Sequence, residues 1–148
     1  MRQIVLASLD GDLIDSINSE KTFELIGVFD FANTVQRKSI RIIGEDGDWR
    51  GWHKLHPAVK SIIAVDSPKS RRKLVSIYGD ENTEGFFSVH AYVSQGAVVD
   101  HGVILQRNVY VSEGVRIGEY SKLNVGVSVH HDCTIGKFVT LAPGVRLL

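Results

Sequence analysis

The chain has 148 residues, 43% of them hydrophobic and 23% charged, the balance of an ordinary globular protein of one or two small domains. Lys+Arg and Asp+Glu number 17 each, so the formal net charge is zero and the basic excess that phosphate neutralisation demands is missing, which argues against nucleic acid as a partner. No apolar run is long enough to span a bilayer, acidic residues interrupt the short apolar start before it can form a signal peptide, and the one cysteine, Cys133, has no partner for an intrachain disulfide. These features point to the cytoplasm without membrane insertion.

The first 84 residues alternate between strand and helix patterns. Ile4-Val5-Leu6 is a short apolar run typical of a buried strand, and Leu9, Leu13, Ile14 and Ile17 follow at helical spacing. Phe23 to Phe29, Ile40 to Ile43 and Val59 to Val65 are further strand candidates. Ser67-Pro68 gives an N-cap followed by proline at the first helical position, Leu74, Val75, Ile77 and Tyr78 supply an apolar face, and Gly79 can end that helix. Trp49, Trp52, His53 and His56 read as a packing connector, and Lys69 to Lys73 as a solvated basic helix face, with phosphate binding the minor option. This alternation predicts an α/β domain over residues 1–84 with a mainly parallel sheet.

From Phe87 the period changes to six. Phe87, Val93, Val99, Leu105, Val111, Ile117, Leu123, Val129, Ile135, Leu141 and Leu147 are all apolar, with no insertion. At this composition a fixed phase would do so by chance about once in 10⁴ trials. Four residues further on stand only small or β-branched residues, from Ala91 through Ser121 and Cys133 to Val145. Gly96, Gly102, Gly114, Gly126 and Gly144 share a third phase, where turns need permissive backbone. The pattern predicts a parallel β-helix over residues 85–148, each hexapeptide giving one short strand and one turn, with one large and one small side chain inward. One such segment cannot bury its own face, whereas a stack can. A β-sandwich is disfavoured, because alternation of period two gives no reason to hold a period of six.

The segment Leu123 to Gly144, LNVGVSVHHDCTIGKFVTLAPG, resembles the hexapeptide acyltransferases that modify amino sugars and sialic acids in bacteria, in particular the bacillosamine-pathway N-acetyltransferases and the sialic-acid O-acetyltransferases. The match is dense at Asn124, Gly126, His131, Asp132, Cys133, Ile135, Gly136 and Ala142-Pro143-Gly144. The resemblance implies an N-terminal Rossmann-like domain, a left-handed β-helix with three hexapeptides per coil, and a homotrimer. It further implies acetyl-CoA as co-substrate and transfer to an amine or hydroxyl of a sugar, a nucleotide-linked amino sugar or a sialic acid.

Acyl transfer needs a base near the nucleophile, and a histidine oriented by a carboxylate suits that task. By the resemblance His131 is the general base, Asp132 its partner, and Asn124 a contact to the acceptor. The period adds that His131 lies between the inward Val129 and Ile135, on the outer wall or at a corner. His130 and His101 read as bystanders, Cys133 as a core residue, and no His/Cys spacing suggests a metal. The family's glycine-rich nucleotide loop corresponds to Leu6 to Asp12, where Ser8 and Gly11 are kept, two glycines have become leucine, and Asp10 and Asp12 would repel a pyrophosphate. Asp30 matches an acidic position that contacts the base or ribose, although capping or turn formation explains it equally well. Thr140 stands where relatives often carry a histidine near the acyl donor, and Gly144 belongs to the same donor side. Relatives run on for several coils past the position of Leu148, so the β-helix is expected to be short at that end. That shortness, the lost glycines and Thr140 keep a second expectation open, a non-catalytic trimeric scaffold.

Overall fold

The computed structural model describes residues 1–30 and 40–148. The chain divides into two compact units, one of residues 1–65 and 69–84, the other of residues 66–68 and 85–148.

The first unit holds a four-stranded sheet of order β3-β2-β1-β4, with β1 Gln3–Ala7, β2 Glu24–Phe29, β3 Ile42–Gly44 and β4 Lys60–Ile63. All three pairings are parallel. Ile4, Val5, Leu6 and Ala7 of β1 are fully buried, as expected for a central strand covered on both faces. Helix α1 spans Gly11–Glu20 and buries Leu13, Ile14 and Ile17. Helix α3 spans Pro68–Tyr78, opens on its proline, and is closed by Gly79 at φ 86°. The aromatic connector is itself a helix, α2 Trp49–Leu55, which the sequence did not announce because its pattern is aromatic rather than aliphatic. Trp49, 1% exposed, stacks on Tyr78 with ring centroids 4.8 Å apart, meets Phe29 edge-on, and donates Nε1–H to the Tyr78 carbonyl. The third and fourth strands are shorter than their apolar runs. Val59 closes a turn onto the His56 carbonyl before β4 begins.

The second unit is a stack of two-residue strands lying in three parallel sheets. Its first side carries β5 Phe86–Phe87, β8 Ile104–Leu105, β11 Lys122–Leu123 and β14 Thr140–Leu141; its second β6 Tyr92–Val93, β9 Tyr110–Val111, β12 Ser128–Val129 and β15 Arg146–Leu147. The third carries β7 Val98–Val99, β10 Arg116–Ile117 and β13 Thr134–Ile135. Every pairing joins residues 18 apart, as in Lys122 to Thr140, so one coil consumes three hexapeptides. The large inward column and the small column together form one core of Val103, Leu105, Val109, Val111, Val115, Ile117, Leu123, Val127, Val129 and Ile135. Ser121 belongs to the small column at no exposure because its hydroxyl is satisfied twice, donating to the Gly136 carbonyl and accepting from Val139 N–H. Phe87 departs from the inward expectation: it stands on the first strand of its side and is 46% exposed.

The corners repeat a left-handed residue every six positions: Gly102, Asn108, Gly114, Tyr120, Gly126, Asp132, Phe138 and Gly144 all have φ between 57° and 74°. Gly96 shares the phase without a positive φ; its role is close approach, because the Glu113 carboxylate occupies the space a Cβ would need. Gly114 combines both demands, with φ 71° and Asp132 Oδ1 lying where its Cβ would stand.

Candidate functional site

His131 and Asp132 occupy the corner between the second and third sides. Asp132 takes the left-handed turn position at φ 62°, which aspartate tolerates better than most residues. Its N–H donates to the Glu113 carbonyl one coil away, and Gly114 leaves room for its carboxylate. So fixed, Asp132 Oδ2 lies 3.0 Å from His131 Nδ1, and both side chains project into solvent at 78% and 81% exposure. A proton on Nδ1 donated to Asp132 leaves Nε2 as the free acceptor, the tautomer a general base requires. His130 is turned to the second side, its ring 6.2 Å from Tyr110, which itself stacks on Tyr92. Cys133 is half-buried against the core, as its place in the small column predicts.

The other predicted residues of this unit stand elsewhere. Asn124 follows β11 at the corner between the first and second sides, one side of the coil away from His131. It is 8% exposed, and its Nδ2 donates to the Leu141 carbonyl, continuing the backbone ladder with a side chain. Gly144 lies at the same corner, at φ 74° with open space where a Cβ would point. Thr140 faces outward on the first side, where its hydroxyl donates to the Asp66 carbonyl 2.6 Å away. Beside it Lys122, 1% exposed, pairs with the Asp66 carboxylate at 2.8 Å.

In the first unit a cleft of about 330 Å³ opens at the carboxyl ends of the parallel strands, the place where open α/β sheets receive ligands. Ser8 and Asp30 line it together with Glu45, Asp46, Lys73 and the aliphatic Val65, Leu74 and Ile77. Gly11 is the first residue of α1 and is not part of that lining. Asp30, 8% exposed, accepts the Leu9 N–H at 2.7 Å and so braces the loop after β1. Asp46 accepts the Tyr78 hydroxyl at 2.6 Å. Burial pushes the Asp46 carboxyl up, the tyrosine bond pulls it down, and Asp30 and Glu45 push it up again. Burial and the Asp46 partner drive the Tyr78 hydroxyl far above its ordinary range.

Sequence reasoning missed Glu45, Asp46 and Lys73. The signal was a run of acids after the third strand, at the point where such a cleft forms, and a lysine hidden in the basic stretch. That stretch is not uniformly solvated: Arg71 is 1% exposed, and its Nε and Nη2 both donate to the Val65 carbonyl.

No protein-family model matches the chain, and no curated protein matches it in sequence. Its fold does match solved structures. A histidine-to-alanine mutant of the GDP-perosamine N-acetyl transferase from Caulobacter crescentus, in complex with CoA and GDP-perosamine, superposes with a TM-score of 0.86 at 19% identity, over 97% of this chain and 70% of that one. The chain shares its fold with that sugar acetyltransferase. The acetyltransferase domain of PglB from Neisseria gonorrhoeae, in complex with acetyl coenzyme A, gives 0.85 at 18% identity, over 98% of this chain and 72% of that one. WeeI from Acinetobacter baumannii gives 0.78 at 18% identity, over 97% and 71%. At these identities the likeness is one of fold, and it spans both units.

Proposed function

We propose that this chain is an acetyl-CoA-dependent acetyltransferase acting on an amine or hydroxyl of a sugar, with a nucleotide-linked amino sugar as the favoured acceptor and a sialic acid as the other. The observation that carries this reading is the His131–Asp132 pair, 3.0 Å apart on a β-helix corner, in a fold shared with acetyltransferases bound to CoA, acetyl-CoA and a nucleotide sugar. His131 Nε2 takes the proton from the acceptor as it attacks the thioester carbonyl, and Asp132 holds the ring and stabilises the imidazolium. Acetyl-CoA supplies the activated acyl group, and the proton held on His131 passes to the departing thiolate.

The reading brings a left-handed coil, a Rossmann-like role for the first unit, and a place in the cytoplasm. Ser8 and Asp30 serve as acceptor contacts in the cleft and Gly11 as the helix start beside it. Asn124 positions the acceptor through its remaining carbonyl oxygen. Gly144 offers an open path for the donor's arm, and Thr140, whose hydroxyl is engaged, contributes shape. Within one chain Asn124 and Gly144 lie at a different corner from His131, and the His131 ring is open to water. A homotrimer answers both facts, since a second copy laid against that corner would supply a wall and the missing contacts.

The test is release of CoA thiol from acetyl-CoA in the presence of amino-sugar acceptors. His131→Ala is expected to lower turnover by roughly 10²- to 10⁴-fold while acetyl-CoA binding persists. An unchanged rate would remove His131 from the mechanism. A scaffold without catalysis would show neither turnover nor acetyl-CoA binding.

A further inference from the structure

We propose that Ser94 and Glu113 are positioning residues for the His131–Asp132 pair: the bond between their side chains replaces a missing backbone rung and anchors the turn on which Asp132 sits. This role rests on the reading of His131 as the general base, and adds what holds that base in its working tautomer.

Asp132 leans on two neighbouring residues of the preceding coil. Its N–H donates to the Glu113 carbonyl at 3.1 Å, and its Oδ1 lies where a Cβ on Gly114 would stand. The direction of the Asp132 carboxylate, and with it the 3.0 Å contact of Oδ2 with His131 Nδ1, therefore depends on how firmly the turn at residues 113–114 is held.

The corners that follow Gly114 show how such a turn is ordinarily held. Tyr120, Gly126, Asp132, Phe138 and Gly144 each donate their N–H to a carbonyl one coil back, those of His101, Arg107, Glu113, Glu119 and Val125. Gly114 is left-handed as well, at φ 71°, and its counterpart one coil back is the Gln95 carbonyl. Among the described residues that bond is not made. Gly96 lacks the positive φ of the later corners, so the Gln95 carbonyl does not inherit the orientation of its counterparts. A side-chain rung stands in its place. Ser94 Oγ donates to Glu113 Oε2, and the Glu113 carboxylate lies over Gly96 in the space a side chain there would fill. The turn beneath Asp132 is thus tied to the first coil through Ser94 and Glu113. The bond is exposed to solvent, so its removal costs the fold little and is read as a loss of position.

The experiment reads His131 directly, by nitrogen NMR of the whole chain labelled in its histidine rings, at about pH 9, well above the ordinary histidine range. The His131 signals are those absent from His131→Ala. The unaltered chain is expected to carry the ring proton chiefly on Nδ1, where Asp132 accepts it. Ser94→Ala removes the bond, and Gly96→Ala expels the Glu113 carboxylate without deleting either partner. Each should lower the ratio of Nδ1–H to Nε2–H by roughly threefold or more, whereas Ser94→Thr, which keeps the hydroxyl, should leave it unchanged. Lys137→Ala is the control. It removes an equally exposed side-chain bond, to Glu119, at a corner whose backbone rung from Phe138 is present, and should leave the ratio unchanged. In acetyl transfer, Ser94→Ala and Gly96→Ala should each lose roughly fivefold in kcat with KM for acetyl-CoA unchanged. An unchanged ratio in Ser94→Ala, an equal fall in Lys137→Ala, or a ring protonated on Nε2 in the unaltered chain would overturn the proposal. So would a loss confined to KM. The ratio is read without turnover, so its failure is distinct from failure of the acetyl-transfer reading, which CoA release decides.

Discussion

The two units keep their cores in different ways. In the β-helix each inward side chain meets near-copies of itself one coil above and one below, so Leu105, Leu123 and Leu141 share a register column and the core has no single centre. In the first unit the core converges on particular residues: Trp49 alone touches Phe29, Trp52, His53 and Tyr78. A repeated core distributes its stability and leaves its corners free to vary, which is where His131 and Asp132 stand. A converging core concentrates stability in a few rings and places the cleft directly against them, through Tyr78 and Asp46.

The largest effect expected from this contrast is at the convergence point. Trp49→Ala should cost roughly 3–5 kcal/mol, read as a shift of the denaturation midpoint. It should also empty the cleft of structure by freeing Tyr78 from its stack. Next comes a position inside the column. Leu123→Ala, at a fully buried site with a strand on each side, should cost about 3 kcal/mol. Val93→Ala, at a half-buried site on the first strand of its side and paired on one side only, should cost under about 1.5 kcal/mol. Equal costs at the two positions would break the picture of a stacked core.

The corners give a finer comparison. Gly126→Ala meets only the left-handed backbone cost, about 1 kcal/mol, because nothing lies within 4 Å of its added Cβ. Gly114→Ala meets the same cost and also displaces the Asp132 carboxylate. It should therefore depress acetyl transfer several-fold more than Gly126→Ala, even at matched stability.

The smallest effect concerns pH. Burial first, with Asp30 and Glu45 adding to it against the Tyr78 bond, holds the Asp46 carboxyl above its ordinary value of 3.8. The folded chain therefore holds this proton more tightly than the unfolded chain does. The corresponding stability is fully present below the ordinary value and is lost as pH rises through the raised one. Asp46→Asn should flatten the stability profile across that interval and leave neutral-pH stability equal or higher, by under about 1 kcal/mol for a site this open to solvent. A steeper profile in the variant would contradict the assignment.

These differences also decide what was legible in the amino-acid sequence. The β-helix could be read almost residue by residue, because a strict period of six leaves each position one structural role. The period placed His131 on the outer wall or at a corner, and the left-handed φ of Asp132 decides for the corner. Gly96 and Phe87 escaped the rule for local reasons, a neighbouring Glu113 carboxylate and a position at the first strand of its side. The first unit yielded its strand and helix order, since aliphatic periodicity marks buried faces. It did not yield α2, whose Trp49 and Trp52 look like a connector until their rings are seen to stack. Of the cleft it yielded Ser8 and Asp30 and missed Glu45, Asp46 and Lys73, which lie apart from them in sequence and join them where the parallel strands end. Asp10 was legible as a charge hostile to phosphate, but its capping bond to Leu13 N–H is a matter of geometry.

The most direct test of the central claim is calorimetric titration of acetyl-CoA into the whole chain, beside the His131→Ala variant. The account predicts saturable binding of one acetyl-CoA per chain, retained in the variant, whose turnover alone is lost. Absence of any saturable binding to the unaltered chain would contradict it and leave the β-helix as a scaffold.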